Sequence, residues 1–335
     1  MTRIGIVGAG RMARHHADAL LALPDVRVTS VYDPDQARGA ELARDCDATA
    51  CTSLEDLVAG NDAVFVCSWT GAHREAVEIA ARAGLAIFCE KPLAPSAEEA
   101  RAMLEAVRRH GVRHQVGLPL RWVPGYAVLR ALLAEAGDRV LSVTMHTQMG
   151  NRDAQSGWRG DLTLAGGGVL LEVGFHDLDL LEWVVGPVAS LRASVAPGRV
   201  PGIEDAASVS FSYESGAIGS LVISWHDRQL PAPPARVLWI VCENSQYLLE
   251  GHSRLLTFGP GSEKLVLDET ELAAAATKRG LPTNAHQAFV RLAGGGRGAV
   301  PTFDDAMRVH TLVDRVYGSA RRDGDQISMT ESISR

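Results

Sequence analysis

Basic residues are in short supply. The 335-residue chain has 33 lysines and arginines against 40 aspartates and glutamates, a formal net charge of −7. The acidic residues are scattered, so neither a basic face for nucleic acid nor a polybasic membrane patch emerges. Cysteine is scarce too: Cys46, Cys51, Cys67, Cys89 and Cys242 are odd in number and lack CxxC spacing. That excludes a disulfide framework or a zinc site and points to a reducing compartment. No uncharged apolar run approaches the length of a membrane span. A strand expected from about Arg3 leaves no room for a signal peptide, so the cytoplasm is the expected location. There is no internal repeat and no low-complexity tail. What remains is a chain with 46% hydrophobic and 22% charged residues, ordinary for a globular protein and long enough for two domains.

The most informative stretch runs from Gly166-Gly167-Gly168 to Asp179. Read as a helix at 100° per residue, Glu172, His176, Asp179 and Trp183 fall within about 60° of one another. Leu170, Leu171, Val173, Phe175, Leu178, Leu180, Leu181, Val184 and Val185 surround that stripe. A helix apolar nearly all round belongs in an interior, where a carboxylate and an imidazole must pair, meet a ligand, or be costly. A structural ion pair and a catalytic pair both satisfy that requirement. A metal site from Glu172, His176 and Asp179 is sterically feasible but is not the expectation.

The N-terminal third alternates strands and helices. Arg3–Val7 is a strand, followed at once by Gly8-Ala9-Gly10-Arg11-Met12-Ala13, the pattern GxGxxA. Gly8 permits the tight turn, Gly10 lets the backbone approach a pyrophosphate, and Ala13 allows close helix–strand packing. A helix opening near Arg11 aims its free N–H groups at the phosphates. After a second strand, Val26–Tyr32, Asp33 is placed to accept from the adenosine ribose hydroxyls. Apolar strands at Ala63–Cys67 and Leu85–Cys89, helix starts at Ser53 and Ser96, and a strand at Arg113–Leu118 continue the rhythm. Such alternation means a doubly wound parallel sheet whose ligands lie beyond the carboxyl ends of its strands. Ser68, Trp69, Thr70 and His73 follow one strand there, and Glu90, Lys91 and Pro92 the next.

From about Arg121 the rhythm changes. A helix near Tyr126–Ala136 leads into an alternating, antiparallel-type strand at Arg139–Gln148. The buried helix follows, then β-rich runs at Val188–Val195, Ala206–Tyr213, Ala217–Trp225, Val237–Cys242 and Gln246–Glu250. Helices near Asn284–Leu292 and Phe303–Tyr317 close the chain. Pro231-Ala232-Pro233-Pro234 reads as a stiff connection and Gly294-Gly295-Gly296 as a flexible one. The expected division is residues 1–120 for dinucleotide binding and 121–335 for substrate binding and oligomerisation. A mostly antiparallel sheet with one open face needs a cover, which a second subunit supplies.

These motifs together carry a resemblance. Gly8-Ala9-Gly10 with His16, Cys67-Ser68 with His73, Glu90-Lys91-Pro92, the Arg121 segment, Trp158-Arg159 and the Gly166–Asp179 block resemble the glucose–fructose oxidoreductase, inositol dehydrogenase and rhizopine catabolism family of dinucleotide-dependent oxidoreductases. The resemblance implies a Rossmann domain followed by an α+β domain with a large open sheet, assembled as a homodimer or homotetramer. It implies catalysis by Lys91 and His176 with an aspartate four residues before the histidine; here that position is Glu172. Gly8, Gly10, Arg11, Met12, Asp33, Ser68, Trp69, His73, Glu90 and Lys91 are the expected cofactor contacts, with no metal. NAD is expected over NADP, because Asp33 repels a 2′-phosphate and Pro34, Asp35, Gln36 and Ala37 intervene before Arg38.

The chemistry follows from the residue types. Oxidising a secondary alcohol needs a base, which His176 supplies near neutrality. Lys91 donates to the substrate oxygen and favours negative charge there. Lys91, Arg121, Gln148, Trp158, Arg159 and His176 are the expected substrate contacts, within a wall that also offers His146, Asn151, Arg152, Asp153 and Gln155. Polar groups plus one indole suit a sugar, aminosugar or cyclitol. The alternatives are a dinucleotide-binding sensor without turnover, or a family variant acting on an imine or a glycosidic bond.

Overall fold

The computed structural model describes residues 1–150, 157–226, 236–259 and 264–330. They form two compact units. The first comprises Met1–Leu118, Thr163–Gly166 and Asn284–His310; the second comprises Pro119–Leu162, Gly167–Thr283 and Thr311–Arg335. The first break lies close to the expected one, but the expected second domain of residues 121–335 does not keep all of its residues. Residues 284–310 return to the first unit for a physical reason. Phe289 is fully buried there, its ring edge-on to Phe65 and Phe88 with centroids 5.0 and 5.8 Å away. The carbonyl of Pro301 also accepts from Val116 N at 2.9 Å, covering an edge strand that would otherwise expose its donors.

In the first unit the elements run β1 (Thr2–Val7), α1 (Arg11–Leu21), β2 (Val26–Tyr32), α2 (Gln36–Asp45), β3 (Thr49–Cys51), α3 (Leu54–Val58), β4 (Ala63–Val66), α4 (His73–Arg82), β5 (Ala86–Cys89), α5 (Ala97–Arg109) and β6 (His114–Val116). All neighbours pair in parallel, in the order β3-β2-β1-β4-β5-β6. The order reverses between β1 and β4, and in such sheets that switch point is where a dinucleotide binds. The strands are as buried as their apolar runs predict: every residue of β4 and β5 is buried. Helix starts fall at the expected caps, with Ser53 accepting from Asp56 N and Ser96 from Glu99 N.

The second unit opens with α6 (Pro124–Ala136) and β7 (Val140–Gly150). The short α7 (Leu162–Ala165) crosses the division between the units, and a π-helical turn (Leu170–Gly174) then runs into α8 (Phe175–Val185). Strands β8 (Val188–Pro197), β9 (Glu204–Tyr213), β10 (Ile218–His226), β11 (Arg236–Cys242), β12 (Gln246–Glu250), β13 (Arg254–Phe258) and β14 (Lys264–Leu267) follow, then α9 (Glu269–Lys278), α10 (Ala285–Ala293), α11 (Phe303–Ala320) and β15 (Ile327–Ser328). Of these, α10 belongs to the first unit and α11 runs from the first into the second. The nine-stranded sheet has the order β14-β13-β12-β11-β7-β10-β9-β8-β15. It is antiparallel except at one place: β7, expected to be antiparallel, pairs that way with β11 but in parallel with β10. Strands β13 and β14 and helix α9 are additions to the expected elements. The Pro231–Pro234 connection lies outside the described residues. No helix among the described residues is long and apolar enough to cross a membrane.

Candidate active site

In the first unit, β1 ends in a turn that only glycine fits. Gly8 has φ +93°, and a Cβ there would stand 2.8 Å from Ser68 N and 2.9 Å from the Cys67 carbonyl. The turn after β1 thus presses on the turn after β4, and a side chain would force the two apart. Gly10 is the N-cap of α1 and offers no side chain, so the first N–H groups of the helix have no side-chain cap. A Cβ on Gly10 would meet only the Arg38 guanidinium, at 3.5 Å. Arg38, set aside in the sequence because four residues separate it from Asp33, is therefore brought to the phosphate loop by α2.

Asp33 is buried, and its carboxylate accepts from Ala9 N at 2.7 Å and Asp35 N at 2.9 Å. It ties the end of β2 to the glycine turn, a role the ribose reading did not include. Arg11, Met12 and Trp69 are exposed along this edge, Met12 and Trp69 at 37% each. The Ser68 hydroxyl is buried without a hydrogen-bond partner. A side-chain-free cradle, an uncapped helix terminus, two exposed apolar side chains and an unpartnered hydroxyl fit a dinucleotide laid across the switch point.

His73 departs from expectation. Its ring is 1% exposed, with Nε2 3.0 Å from the Ser68 carbonyl and Nδ1 3.1 Å from those of Pro92 and Leu93. Burial lowers its pKa against the pull of the Ser68 and Leu93 carbonyls. Both nitrogens face backbone oxygens; the ring, with one N–H to donate when neutral, sits between the turn after β4 and the turn after β5 and has no edge left for a cofactor. Glu90 is likewise turned inward: Oε1 accepts from His16 Nε2 at 2.7 Å and Oε2 from Lys91 N at 3.1 Å. Gly117 makes room for it, since a Cβ there would lie 2.8 Å from Oε1. Lys91 itself is half-buried at the carboxyl end of β5, joined to Pro92 by a cis peptide. Burial, with the charge of Glu90 nearby, raises the Cys67 and Cys89 thiols far above their ordinary value, so both act as neutral core side chains.

In the second unit, the segment around His176 is helical and buried as expected, but its first turn is π rather than α. The wider turn changes the angular spacing that placed Glu172, His176, Asp179 and Trp183 on one stripe. Glu172 is half-buried and accepts from Arg159 Nε at 2.7 and 2.9 Å. The Arg159 guanidinium lies 4.4 Å from the centroid of the Trp158 ring. Asp179 is 1% exposed and takes a two-pronged ion pair from Arg121, through Nε at 3.0 Å and Nη2. Arg121 also lies over the Trp183 ring, 5.7 Å from its centroid. Arg121, expected at the substrate, thus has its planar fork committed to α8. His176 is half-buried.

Asp177, outside the predicted stripe, is fully buried and accepts from Arg236 Nε at 2.7 Å. Arg236 opposes Thr147 in register, so α8 packs on the buried face of the sheet. Gln148 and His146 alternate with buried Thr147 and Met145 and stand on the open face. That corrects their expected place in a substrate wall shared with His176: strand alternation sends them to the opposite side. Asn151, Arg152, Asp153 and Gln155 lie outside the described residues.

Sequence reasoning also missed Glu204. Its carboxylate accepts from Gly168 N at 3.0 Å, Leu170 N at 2.9 Å and Tyr317 OH at 3.0 Å, anchoring the start of the π turn. Burial raises its pKa against those three donors. Nothing in the local sequence around Glu204 signals this, because its partners come from two distant segments.

A parallel sheet with a glycine cradle at its switch point defines a dinucleotide-binding protein. Residues 2–118 match the family described as "Oxidoreductase family, NAD-binding Rossmann fold", and residues 127–246 match the GFO/IDH/MocA C-terminal domain. The chain is 33% identical over 226 residues to 1,5-anhydro-D-fructose reductase of Ensifer adhaerens, spanning 65% of this chain and 68% of that one. It is 33% identical over 186 residues to inositol 2-dehydrogenase of Rhizobium meliloti, spanning 55% of each. The fold matches that of the WlbA dehydrogenase of Bordetella pertussis, solved with NADH and UDP-GlcNAcA, with a TM-score of 0.85 at 22% identity over 99% of this chain and 98% of that one. The chain belongs to the GFO/IDH/MocA family of NAD-binding oxidoreductases.

Proposed function

We propose that the protein is an NAD-dependent dehydrogenase or reductase acting on a secondary alcohol or ketone of a sugar, aminosugar or cyclitol. The observation that carries this reading is the placement of Lys91, half-exposed and braced by Glu90 and His73, at the carboxyl end of β5, the neighbour of β4, whose following turn meets the glycine cradle. The similarity to a sugar reductase and an inositol dehydrogenase supports the substrate class. NAD, when bound, accepts or returns the hydride. The protein's part is acid–base and electrostatic. In oxidation, His176 removes the hydroxyl proton while Lys91 donates a hydrogen bond to the oxygen as negative charge develops; in reduction the proton returns from His176. Glu172, held by Arg159, supplies negative charge on the turn before His176. Trp158, with Arg159 stacked on it, offers an apolar face for the C–H side of a polyhydroxylated ring.

We further read the protein as cytoplasmic, on its five free and buried cysteines, and as a homodimer or homotetramer joined through the open face of the nine-stranded sheet.

The test is steady-state kinetics on a panel of cyclitols, free sugars, nucleotide sugars and aminosugars with NAD and NADP. Lys91→Ala and His176→Ala are each expected to lower turnover by about 10²–10⁴-fold with NAD affinity retained. Turnover near wild type in the His176 variant would overturn the mechanism. NAD binding with no turnover on any substrate would instead favour a redox sensor.

A further inference from the structure

Buried His16 and half-buried Glu90 and His286, next to Lys91, form an unbroken chain whose acid–base capacity the chemistry above does not use. His16 Nε2 lies 2.7 Å from Glu90 Oε1, and His16 Nδ1 lies 2.8 Å from His286 Nε2. His16 is 5% exposed and the Glu90 side chain 13%. The three come from α1, the end of β5 and α10, so His286 reaches the chain from 270 residues away. Its ring lies parallel to Phe65 with centroids 6.0 Å apart, and tilted against His16 at 5.0 Å.

The bonds have one consistent direction. A carboxylate only accepts, so His16 donates through Nε2–H. A neutral His16 then has a bare Nδ1, and His286 must donate to it through Nε2–H. Every hydrogen thus points toward Glu90, whose other oxygen accepts the Lys91 N–H. Burial pushes the Glu90 carboxyl up. The hydrogen bond from His16, the Lys91 charge and the Lys91 N–H outweigh it and leave the group below its ordinary value.

We propose that Glu90, His16 and His286 are a positioning relay for Lys91, fixing the backbone of its turn, holding a negative charge beside its ammonium, and admitting a proton from α10 on acidification. The proposal rests on the reading of Lys91 as catalytic. A proton taken up at His286 Nδ1 releases the proton on His286 Nε2 to His16 Nδ1. One proton enters and rests on His16, one hydrogen bond reverses, and the cationic His16 offsets the Glu90 charge that faces Lys91. The chain holds one added proton: with both imidazoles cationic, two N–H groups would point at each other. The charged and titratable groups facing it are His15 on α1, Lys91, His73 on α4, and the thiols of Cys67 and Cys89. Burial, with the imidazoles of His16 and His15 opposing a further positive charge, lowers the pKa of His286 to about 4, so the relay stays unloaded at neutral pH.

The experiment measures kcat and KM against pH for the full-length protein and for Glu90→Gln, Glu90→Asp, His286→Gln and His286→Phe, with Lys91→Ala alongside. Glu90→Gln should lower kcat by on the order of 10²-fold through misplacement of Lys91, with the KM for NAD little altered and partial recovery in Glu90→Asp. His286→Gln still donates to His16 but takes up no proton, so the acid limb of kcat should move to lower pH; His286→Phe removes the donor and should lower kcat. Nitrogen-15 spectra of the histidines should show His16 protonated at Nε2 and bare at Nδ1, independently of turnover. His16 found protonated at Nδ1 alone would overturn the relay. So would Glu90→Gln and His286→Gln profiles that superimpose on wild type while Lys91→Ala is inactive, an outcome that leaves the catalytic reading intact. Undiminished turnover in Lys91→Ala would overturn both.

Discussion

A methyl group on Gly168 would sit 2.1 Å from the Glu204 carbonyl oxygen and 2.6 Å from its nitrogen. One on Gly167 would meet the Tyr317 hydroxyl at 2.2 Å, and one on Gly166, at φ +81°, the Pro95 carbonyl at 2.2 Å. The triplet is therefore packed against backbone and a half-buried tyrosine. Gly168→Ala should destabilise the second unit by about 3 kcal/mol, at the upper end for overpacking because the obstacle is backbone. Gly298→Ala, with nothing within 4 Å, should be close to neutral. Urea unfolding of the two variants checks this, and equal midpoints would refute it. Gly8 and the triplet were both visible in the sequence, but only Gly8 could be explained from it. Its constraint belongs to a local turn of known geometry, whereas the triplet's obstacles lie in Glu204, Tyr317 and Pro95, which no spacing connects to it. The same holds for His73, whose ring faces backbone carbonyls of the turns after β4 and β5.

Helices α10 and α11 show what a returning segment brings. They add His286 and His310 to the first unit. Burial lowers the pKa of His310 to about 3, and burial with the neighbouring imidazoles lowers that of His286 to about 4. The unfolded chain binds protons on both below about pH 6.5, while the folded protein does not until near pH 4 and pH 3. Between those limits the unfolded state holds more protons, so stability is complete above pH 6.5 and is lost as pH falls through this window, by on the order of a few kcal/mol for His310. Denaturation at pH 7, 5 and 4 should show that fall, and His310→Leu should make it shallower; an unchanged pH dependence would count against it. In the sequence α10 and α11 were legible as helices from periodicity, yet the assignment of α10 and the start of α11 to the first unit was not. The π turn escaped for a related reason. Periodicity assumes 3.6 residues per turn, and the departure is held in place by Glu204 accepting from Gly168 and Leu170. Conversely, β7 alternates plainly, and strict period-two reading separates Gln148 from Thr147.

For the molecule as a whole, the open sheet face is the feature that most needs a cover. Trp239 is 48% exposed, Ile218 62% and Val222 43%; β7 lies between Trp239 on β11 and the other two on β10. Serines and threonines fill much of the rest: Ser208, Ser210 and Ser212 on β9 and Thr144 on β7 are all exposed. A flat face of small polar side chains around an indole suits a second sheet of the same kind. Sedimentation at micromolar concentration is expected to show a dimer or tetramer, and Trp239→Glu to shift it toward the monomer. A monomer in the unmodified protein would refute the assignment.

The sequence by itself determined the parallel sheet, the glycine cradle after β1, the positions of Lys91 and His176, and the family, because each rests on short-range pattern: strand burial, turn geometry and motif order. The tertiary structure decided which charged and polar side chains meet. Arg121 went to Asp179, Arg159 to Glu172, Arg236 to Asp177 and His286 to His16. A buried charge takes the partner that the fold brings within about 3 Å, and that partner can come from any distance along the chain.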